Sequence, residues 1–164
     1  MDKTLSDAAE RLGKMLLDAE LKMATAESCT AGQIGMALAA VENSGNFYTG
    51  SVITYTDSAK IRMLKVKQET IEQHTAVSEQ TAREMASGAC ALSGEPVSLS
   101  VTGYAGPDGG EDGTPAGTIW FGWNLPDGKQ VAEVRQFAGE PKSVMDQGAV
   151  FALNRLAELL QQAK

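Results

Sequence analysis

Segments of helical and of strand periodicity take turns along this chain, and that order admits few folds. Leu5, Ala8, Ala9, Leu12, Leu16 and Ala19 recur at helical spacing, with Thr4 or Ser6 as candidate N-caps. Residues 21–27 read as a short strand. Ile34, Ala37, Leu38 and Val41 then share a helical face that ends at the turn Asn43-Ser44-Gly45-Asn46. Residues 47–55, rich in aromatic and β-branched side chains, read as a second strand. Short helices over 56–64 and 68–74 precede a longer one, capped by Ser78 and turning Ala82, Met85, Ala89 and Leu92 toward the core. The alternation Val97-Ser98-Leu99-Ser100-Val101 reads as a third strand running into Thr102-Gly103 and a glycine-rich loop at 105–117. Strands over 118–125 and 131–137 flank Pro126-Asp127-Gly128-Lys129 as a hairpin. A closing helix carries Met145, Ala149, Ala152, Leu153, Leu156 and Leu160 on one side.

Strands interleaved with helices imply a parallel sheet covered on both faces, and the hairpin adds an antiparallel part. The expected fold is α/β: a three-layer α/β/α domain with a mixed, largely parallel sheet and an antiparallel C-terminal hairpin. With no linker, repeat or low-complexity tract, residues 1–164 are expected to form one domain. A chain of 164 residues can bury a core without metal or disulfide staples.

No apolar run approaches the roughly 18 to 20 residues of a membrane span, and no basic-then-apolar start marks a signal peptide. The two cysteines, Cys29 and Cys90, make neither a disulfide framework nor a CxxC pair, so a reduced, cytoplasmic setting is expected. A net charge of −7 argues against a nucleic-acid partner, because affinity for phosphate backbones comes from clustered Lys and Arg. One local exception is the run Lys60, Arg62, Lys65 and Lys67, which is either a solvated helix face or a place where a small anion is steered.

Chemistry has three candidate locations. Ala26-Glu27-Ser28-Cys29-Thr30-Ala31-Gly32 lies where a strand hands over to a helix, at the edge of the sheet where α/β proteins bind ligands. A helix start there offers free N–H groups to a phosphate or an oxyanion, with Cys29 and Thr30 as donors. Ser28 is then either a nucleophile or an N-cap. His74, the only histidine, has no partner pattern around it and reads as a surface or turn residue, so a Ser-His-Asp triad has little support. The alternative base is a lysine with a lowered pKa. Lys60 follows Tyr55 by five residues, from a strand end to a helix start, and both can reach the edge that carries Ser28. Thr102-Gly103-Tyr104-Ala105-Gly106-Pro107-Asp108-Gly109-Gly110 is the third location, where Gly103 and Gly106 let the backbone approach a ligand. It is neither a P-loop nor a Rossmann fingerprint. Asp108, Glu111 and Asp112 have no spacing that compels a metal, and a solvated acidic loop is expected.

Taken together, AESCTAG, VITYTDSAK, HTAVSE and SVTGYAGPDGGEDGTPAGTIWF resemble the CinA family. The likeness is to its C-terminal domain and to the stand-alone nicotinamide-nucleotide amidases of the PncC type, with the short YdeJ-type paralogues nearest in character. The match runs from about Leu12 to about Gly139 and continues in pattern through the last helix. The pyrophosphatase domain that precedes this one in full-length CinA proteins has no counterpart in the sequence. The resemblance implies hydrolysis of nicotinamide mononucleotide to nicotinate mononucleotide and ammonia, with no metal or other cofactor. It implies Ser28 as nucleophile, Lys60 as general base and Tyr55 as its proton-relay or orienting partner. Cys29, Thr30, Thr102, Gly103 and Gly106 would bind the substrate or the oxyanion.

The sequence departs from the family after the last strand. Active members of the family it resembles usually carry a GDR-type segment with a second arginine one turn later, suited to a substrate phosphate. Here Pro141 and Met145 occupy those two positions, Asp146 adds a negative charge, and Lys142 is the remaining candidate for a phosphate contact, as a point charge and not a fork. Two functions are therefore carried forward: the amidohydrolase, and a catalytically weak or inactive paralogue that binds a nucleotide-like ligand or a protein partner. The partner expected in either case is a small molecule, with no nucleic acid and no membrane. The apolar hairpin Ile119-Trp120-Phe121-Gly122-Trp123 is a candidate for the core or for the face of a homo-oligomer.

Overall fold

The computed structural model describes residues 2–163. Helix α1 (Lys3–Asp18) turns Leu5, Ala8, Ala9, Leu12 and Leu16 inward, as the spacing predicts. Its cap is Asp2, not Thr4 or Ser6: the Asp2 carboxylate accepts the Thr4 N–H at 3.2 Å, which places both hydroxyl residues inside the helix. Strand β1 (Met23–Glu27) follows, then helix α2 (Gln33–Ala39), a 3-10 turn at Ser44–Asn46 and strand β2 (Tyr48–Ile53). Three helices come next, α3 (Asp57–Leu64), α4 (Gln68–His74) and α5 (Glu79–Ser93). Ser78 caps α5 as expected, accepting from the Thr81 N–H at 3.2 Å. Strands β3 (Val97–Gly103), β4 (Thr118–Asn124) and β5 (Gln130–Gln136) precede the long helix α6 (Pro141–Gln162).

One sheet has the order β2-β1-β3-β4-β5. β1 pairs in parallel with β2 and with β3, while β3–β4 and β4–β5 are antiparallel. The sheet is mixed as expected, with parallel and antiparallel pairings in equal share. The antiparallel part extends past the hairpin because a loop, and not a crossover helix, joins β3 to β4. Helices α1, α2 and α6 cover one face of the sheet, and α3, α4 and α5 the other.

The alternation along β3 separates two kinds of packing. Val97, Leu99 and Val101 enter the larger core with α1, α2 and α6. Ser98, Ser100 and Thr102 are also buried, and they face the backbone of α5 and its approach. Their hydroxyls donate to the carbonyls of Ala86, Ala82 and Ala76 at 2.7, 2.6 and 2.7 Å. The hydroxyls are therefore satisfied by helix and loop carbonyls, and α5 can lie close on a strand of small residues.

The hairpin packs inward. Ile119, Phe121 and Trp123 are fully buried against α6, and the Trp123 indole N–H donates to the Ala152 carbonyl at 3.1 Å. This hairpin face therefore belongs to the core. Leu92, expected inward, is 62% exposed. Helix α3, which would have to cover it, stops at Leu64 and leaves an open groove lined by Met63, Leu64 and Leu92. Among the described residues no helix is long and apolar enough to cross a membrane.

Candidate active site

Three strands end at one level. Glu27 of β1 is in register with Ile53 of β2 and with Val101 of β3. One residue further on, the ladder continues through Thr54 N–H to Glu27 O at 2.8 Å and Ser28 N–H to Val101 O at 3.0 Å. Ser28, Thr54 and Thr102 are thereby held side by side at the carboxyl edge, the usual ligand position in such sheets.

Ser28 does not cap α2. The helix begins at Gln33 with Gly32 in the cap position at φ +99°, and four residues of turn lie between Ser28 and the first helical residue. The turn is closed by the carboxylate of Glu27, which is fully buried. One of its oxygens accepts from Thr30 Oγ1 at 2.8 Å, Gly32 N–H at 3.1 Å and Ile34 N–H at 3.0 Å. The other accepts from Gly35 N–H at 2.9 Å and Thr25 Oγ1 at 3.0 Å. A helix start in need of an anion thus receives one from the protein itself. This corrects the sequence reading of that helix start as a free anion site, and it accounts for Thr30, whose hydroxyl is turned to Glu27 and away from any ligand. The amides of Cys29 and Thr30 remain: they face the Cys29 sulfur, and neither is bonded to a backbone carbonyl among the described residues.

Glu27 was visible in the AESCTAG motif, but no role was evident for it. The signal was a carboxylate ending an otherwise small or apolar strand, directly before a helix whose first residues include no Asp, Asn or Ser cap.

Lys60 lies in the first turns of α3, whose N-cap Thr56 accepts from the Ala59 N–H at 3.2 Å. Its side chain runs inward and is only 2% exposed. Nζ is 2.9 Å from Ser28 Oγ, 2.9 Å from the Thr54 carbonyl oxygen and 3.4 Å from that of Tyr55. Burial pushes the Lys60 ammonium below the ordinary lysine range, with Asp57 opposing the shift. The other members of the basic run, Arg62, Lys65 and Lys67, are exposed. The sequence reading is met on both counts: Arg62, Lys65 and Lys67 form a solvated face, and Lys60, expected as the base, lies apart from them beside Ser28.

Tyr55 contributes to Lys60 through its carbonyl. Its side chain is 71% exposed, so the relay expected of the phenol is not formed in this structure. Thr102 is buried and its hydroxyl is committed to the Ala76 carbonyl. Gly103 lies against β4, where a Cβ would come within 2.7 Å of the Thr118 carbonyl oxygen. Cys29 faces the same space as Ser28, and burial pushes its thiol up to about 12. His74 is exposed, as expected.

Ser28, Cys29, Tyr55, Lys60, Thr102, Gly103 and Gly106 share one cleft of about 450 Å³, whereas Thr30 and His74 are not among its lining residues. Lys142 is not among its lining residues: it is turned outward into an ion pair with Asp146 at 2.9 Å. Pro141 and Met145, which occupy the positions of the missing arginines, do face the cleft. Among the described residues no group of three or more His, Cys, Asp or Glu side chains is arranged to hold a metal ion.

The arrangement has counterparts of known sequence and structure. The family described as the CinA C-terminal domain matches residues 5–160. Protein YdeJ of Escherichia coli K12 is 43% identical over 157 residues, covering 96% of this chain and 91% of that protein. The nicotinamide-nucleotide amidohydrolase PncC of Enterobacter agglomerans is 39% identical over 152 residues, covering 93% of each chain. The crystal structure of a CinA superfamily protein from Escherichia coli superposes with a TM-score of 0.94 at 42% identity, covering 98% of this chain and 94% of the other.

Proposed function

The chain belongs to the CinA C-terminal domain family, and from that membership and its buried Ser–Lys pair we propose that it is an amidohydrolase acting on nicotinamide mononucleotide or a related carboxamide. The observation that carries the proposal is the 2.9 Å contact between Lys60 Nζ and Ser28 Oγ at the floor of the cleft. A neutral lysine amine has two N–H donors and one lone pair. The carbonyls of Thr54 and Tyr55 take the two donors, which leaves the lone pair facing the Ser28 hydroxyl. After protonation the same three partners, two carbonyls and Oγ, accept all three ammonium hydrogens. Both protonation states are thus accommodated without rearrangement, as a general base requires.

The steps balance as follows. Lys60 takes the Ser28 proton while Oγ bonds to the carboxamide carbon and the carbonyl oxygen becomes an oxyanion. In this reading the Cys29 amide, next to the nucleophile, donates to that oxyanion, an interaction worth about 3 kcal/mol in serine hydrolases. The carbon–nitrogen bond breaks as Lys60 returns its proton to the leaving group, which departs as ammonia. Water, deprotonated by Lys60, then adds to the ester carbon; the carbon–Oγ bond breaks, Lys60 returns the proton to Ser28 Oγ, and the carboxylic acid is released. Glu27 takes no part in proton transfer and holds the turn that presents Ser28 and Cys29.

The test is ammonia release from nicotinamide mononucleotide and related pyridine carboxamides, with Ser28→Ala and Lys60→Met run alongside. Turnover abolished in both variants supports the proposal. Turnover that survives in Ser28→Ala would exclude Ser28 as the nucleophile. Absence of turnover with every amide, from folded protein, would favour the alternative of a binding paralogue.

A further inference from the structure

Strands β2 and β5 are the two edges of the sheet, and among the described residues no strand lies beyond either. Natural edges are commonly blunted by a bulge, a proline or a lysine, because unpaired N–H and C=O groups invite another strand. β2 is interrupted: it contains Gly50, and its register with β1 breaks between Met23 and Ala24. β5 has no such device. It pairs with β4 without a break from Gln130 to Gln136, and it holds no proline, glycine or lysine.

The ladder sets which way the backbone groups of β5 point. The Leu125 N–H donates to the Lys129 carbonyl and the Phe137 N–H to the Gly117 carbonyl, each at 2.9 Å, so the odd-numbered residues of β5 bond to β4. Ala132, Val134 and Gln136 therefore turn their backbone groups outward. The Val134 carbonyl accepts from the Arg135 side chain at 2.9 Å, an exposed contact that can be exchanged for a strand. The side chains alternate in the same way. Glu133 and Arg135 lie on the α6 face, where Glu133 meets Arg155 at 2.7 Å and Arg135 at 3.2 Å. Val134 lies on the opposite face, 39% exposed beside the half-buried Trp120, its register partner on β4.

We propose that β5 is a dimerisation edge whose occupant is β5 of a second copy, antiparallel about a two-fold axis at Val134. The segment Glu133-Val134-Arg135 is self-complementary in that register. Each Glu133 lies opposite Arg135 of the second copy, in the closely spaced pairs of an antiparallel ladder. Val134 meets Val134 and Ala132 meets Gln136 through their outward backbone groups, and no like charges oppose one another. Other two-fold registers lack this match. An axis at Glu133 or at Arg135 sets like charges against each other at its centre, and one at Ala132 sets Arg135 against Lys129. An axis at Gln136 leaves both charges without a cross-strand partner and runs past the end of the strand. The interface is isologous: it joins two five-stranded sheets into one and covers Val134 and Trp120 of both copies. None of these residues lines the cleft, so the dimer and the amidohydrolase stand or fall separately.

Sedimentation equilibrium of the whole chain, from micromolar to millimolar protein, is the test, with Val134→Lys and Val134→Glu run alongside. Both substitutions fall at an exposed position, and each opposes like charges at one point only when the axis lies at Val134. The wild type is expected to double in mass as concentration rises, and each variant alone to self-associate more weakly by about tenfold or more. An equimolar mixture of the two variants is expected to regain the dimer, because the lysine of one then faces the glutamate of the other, and high salt should weaken that mixed dimer. A wild type that stays monomeric throughout overturns the proposal. Self-association that both variants keep does so too, as does a mixture that associates no better than its components.

Discussion

Replacing Glu27 by glutamine turns one buried carboxylate oxygen into an amide nitrogen and leaves the volume of the side chain almost unchanged. The oxygen that receives Thr30, Gly32 and Ile34 can be kept as the amide carbonyl, since three donors converge on it. The new NH2 then faces the Thr25 hydroxyl and the Gly35 N–H. Thr25 can adapt, because Ser51 Oγ at 2.5 Å is available to take its proton and frees its lone pairs to accept. Gly35 cannot adapt, and its amide is left buried against another donor. An unpaired buried donor costs about 1–3 kcal/mol. Losing the negative charge at a helix start adds about 0.3–1 kcal/mol. The expected destabilisation is about 3 kcal/mol, a drop in melting temperature of roughly 6–12 °C for a domain of this size. Denaturant unfolding with an unchanged m-value, supported by calorimetry, measures it. Turnover should fall as well, because the turn that carries Ser28 and Cys29 loosens. A loss below about 0.5 kcal/mol, the range of an indifferent surface substitution, would show that the carboxylate does not organise this turn.

Four further outcomes follow from the structure. Burial holds Lys60 below its ordinary value of 10.5, so between its folded value and 10.5 the unfolded chain binds more protons than the folded one. Stability should therefore rise with pH through that window. Lys60→Met should be more stable than wild type at neutral pH, lose that advantage as pH passes 10.5, and show no turnover. Wild-type turnover should rise with pH as Lys60 deprotonates, to a midpoint below 10.5; a flat profile would exclude Lys60 as the base. The Cys29 thiol, at about 12, should resist iodoacetamide at pH 8 while the half-buried Cys90 reacts, and mass spectrometry that finds both alkylated at equal rates would contradict its placement. Gly103→Ala should cost about 1–3 kcal/mol, because the new methyl meets backbone of Thr118 and Ile119 that cannot move aside, and a neutral effect by thermal melting would refute that close approach.

Local pattern was sufficient for the elements. The helical spacing of Leu5, Leu12 and Leu16 and the alternation of Val97, Leu99 and Val101 report which side of each segment is apolar, and that is what the core selects. Ser28 and Lys60 could be proposed from position alone, because a strand-to-helix turn and a helix start at the carboxyl edge of a sheet are recognisable in one dimension. Other properties could not be read this way, since they depend on residues distant in sequence arriving at one place. Lys60 and Arg62 are two apart and look alike as letters; only the packing of α3 against the sheet buries the first beside Ser28 and leaves the second in water. Tyr55 and Lys142 looked like partners of the site, but the Tyr55 phenol stands exposed at the cleft's edge and Lys142 is turned away into an ion pair with Asp146. Glu27 is the clearest case. A strand-ending glutamate implies exposure when it is read alone. In the fold it is the anion that four residues of turn and helix require, because burial leaves their donors no water to bond.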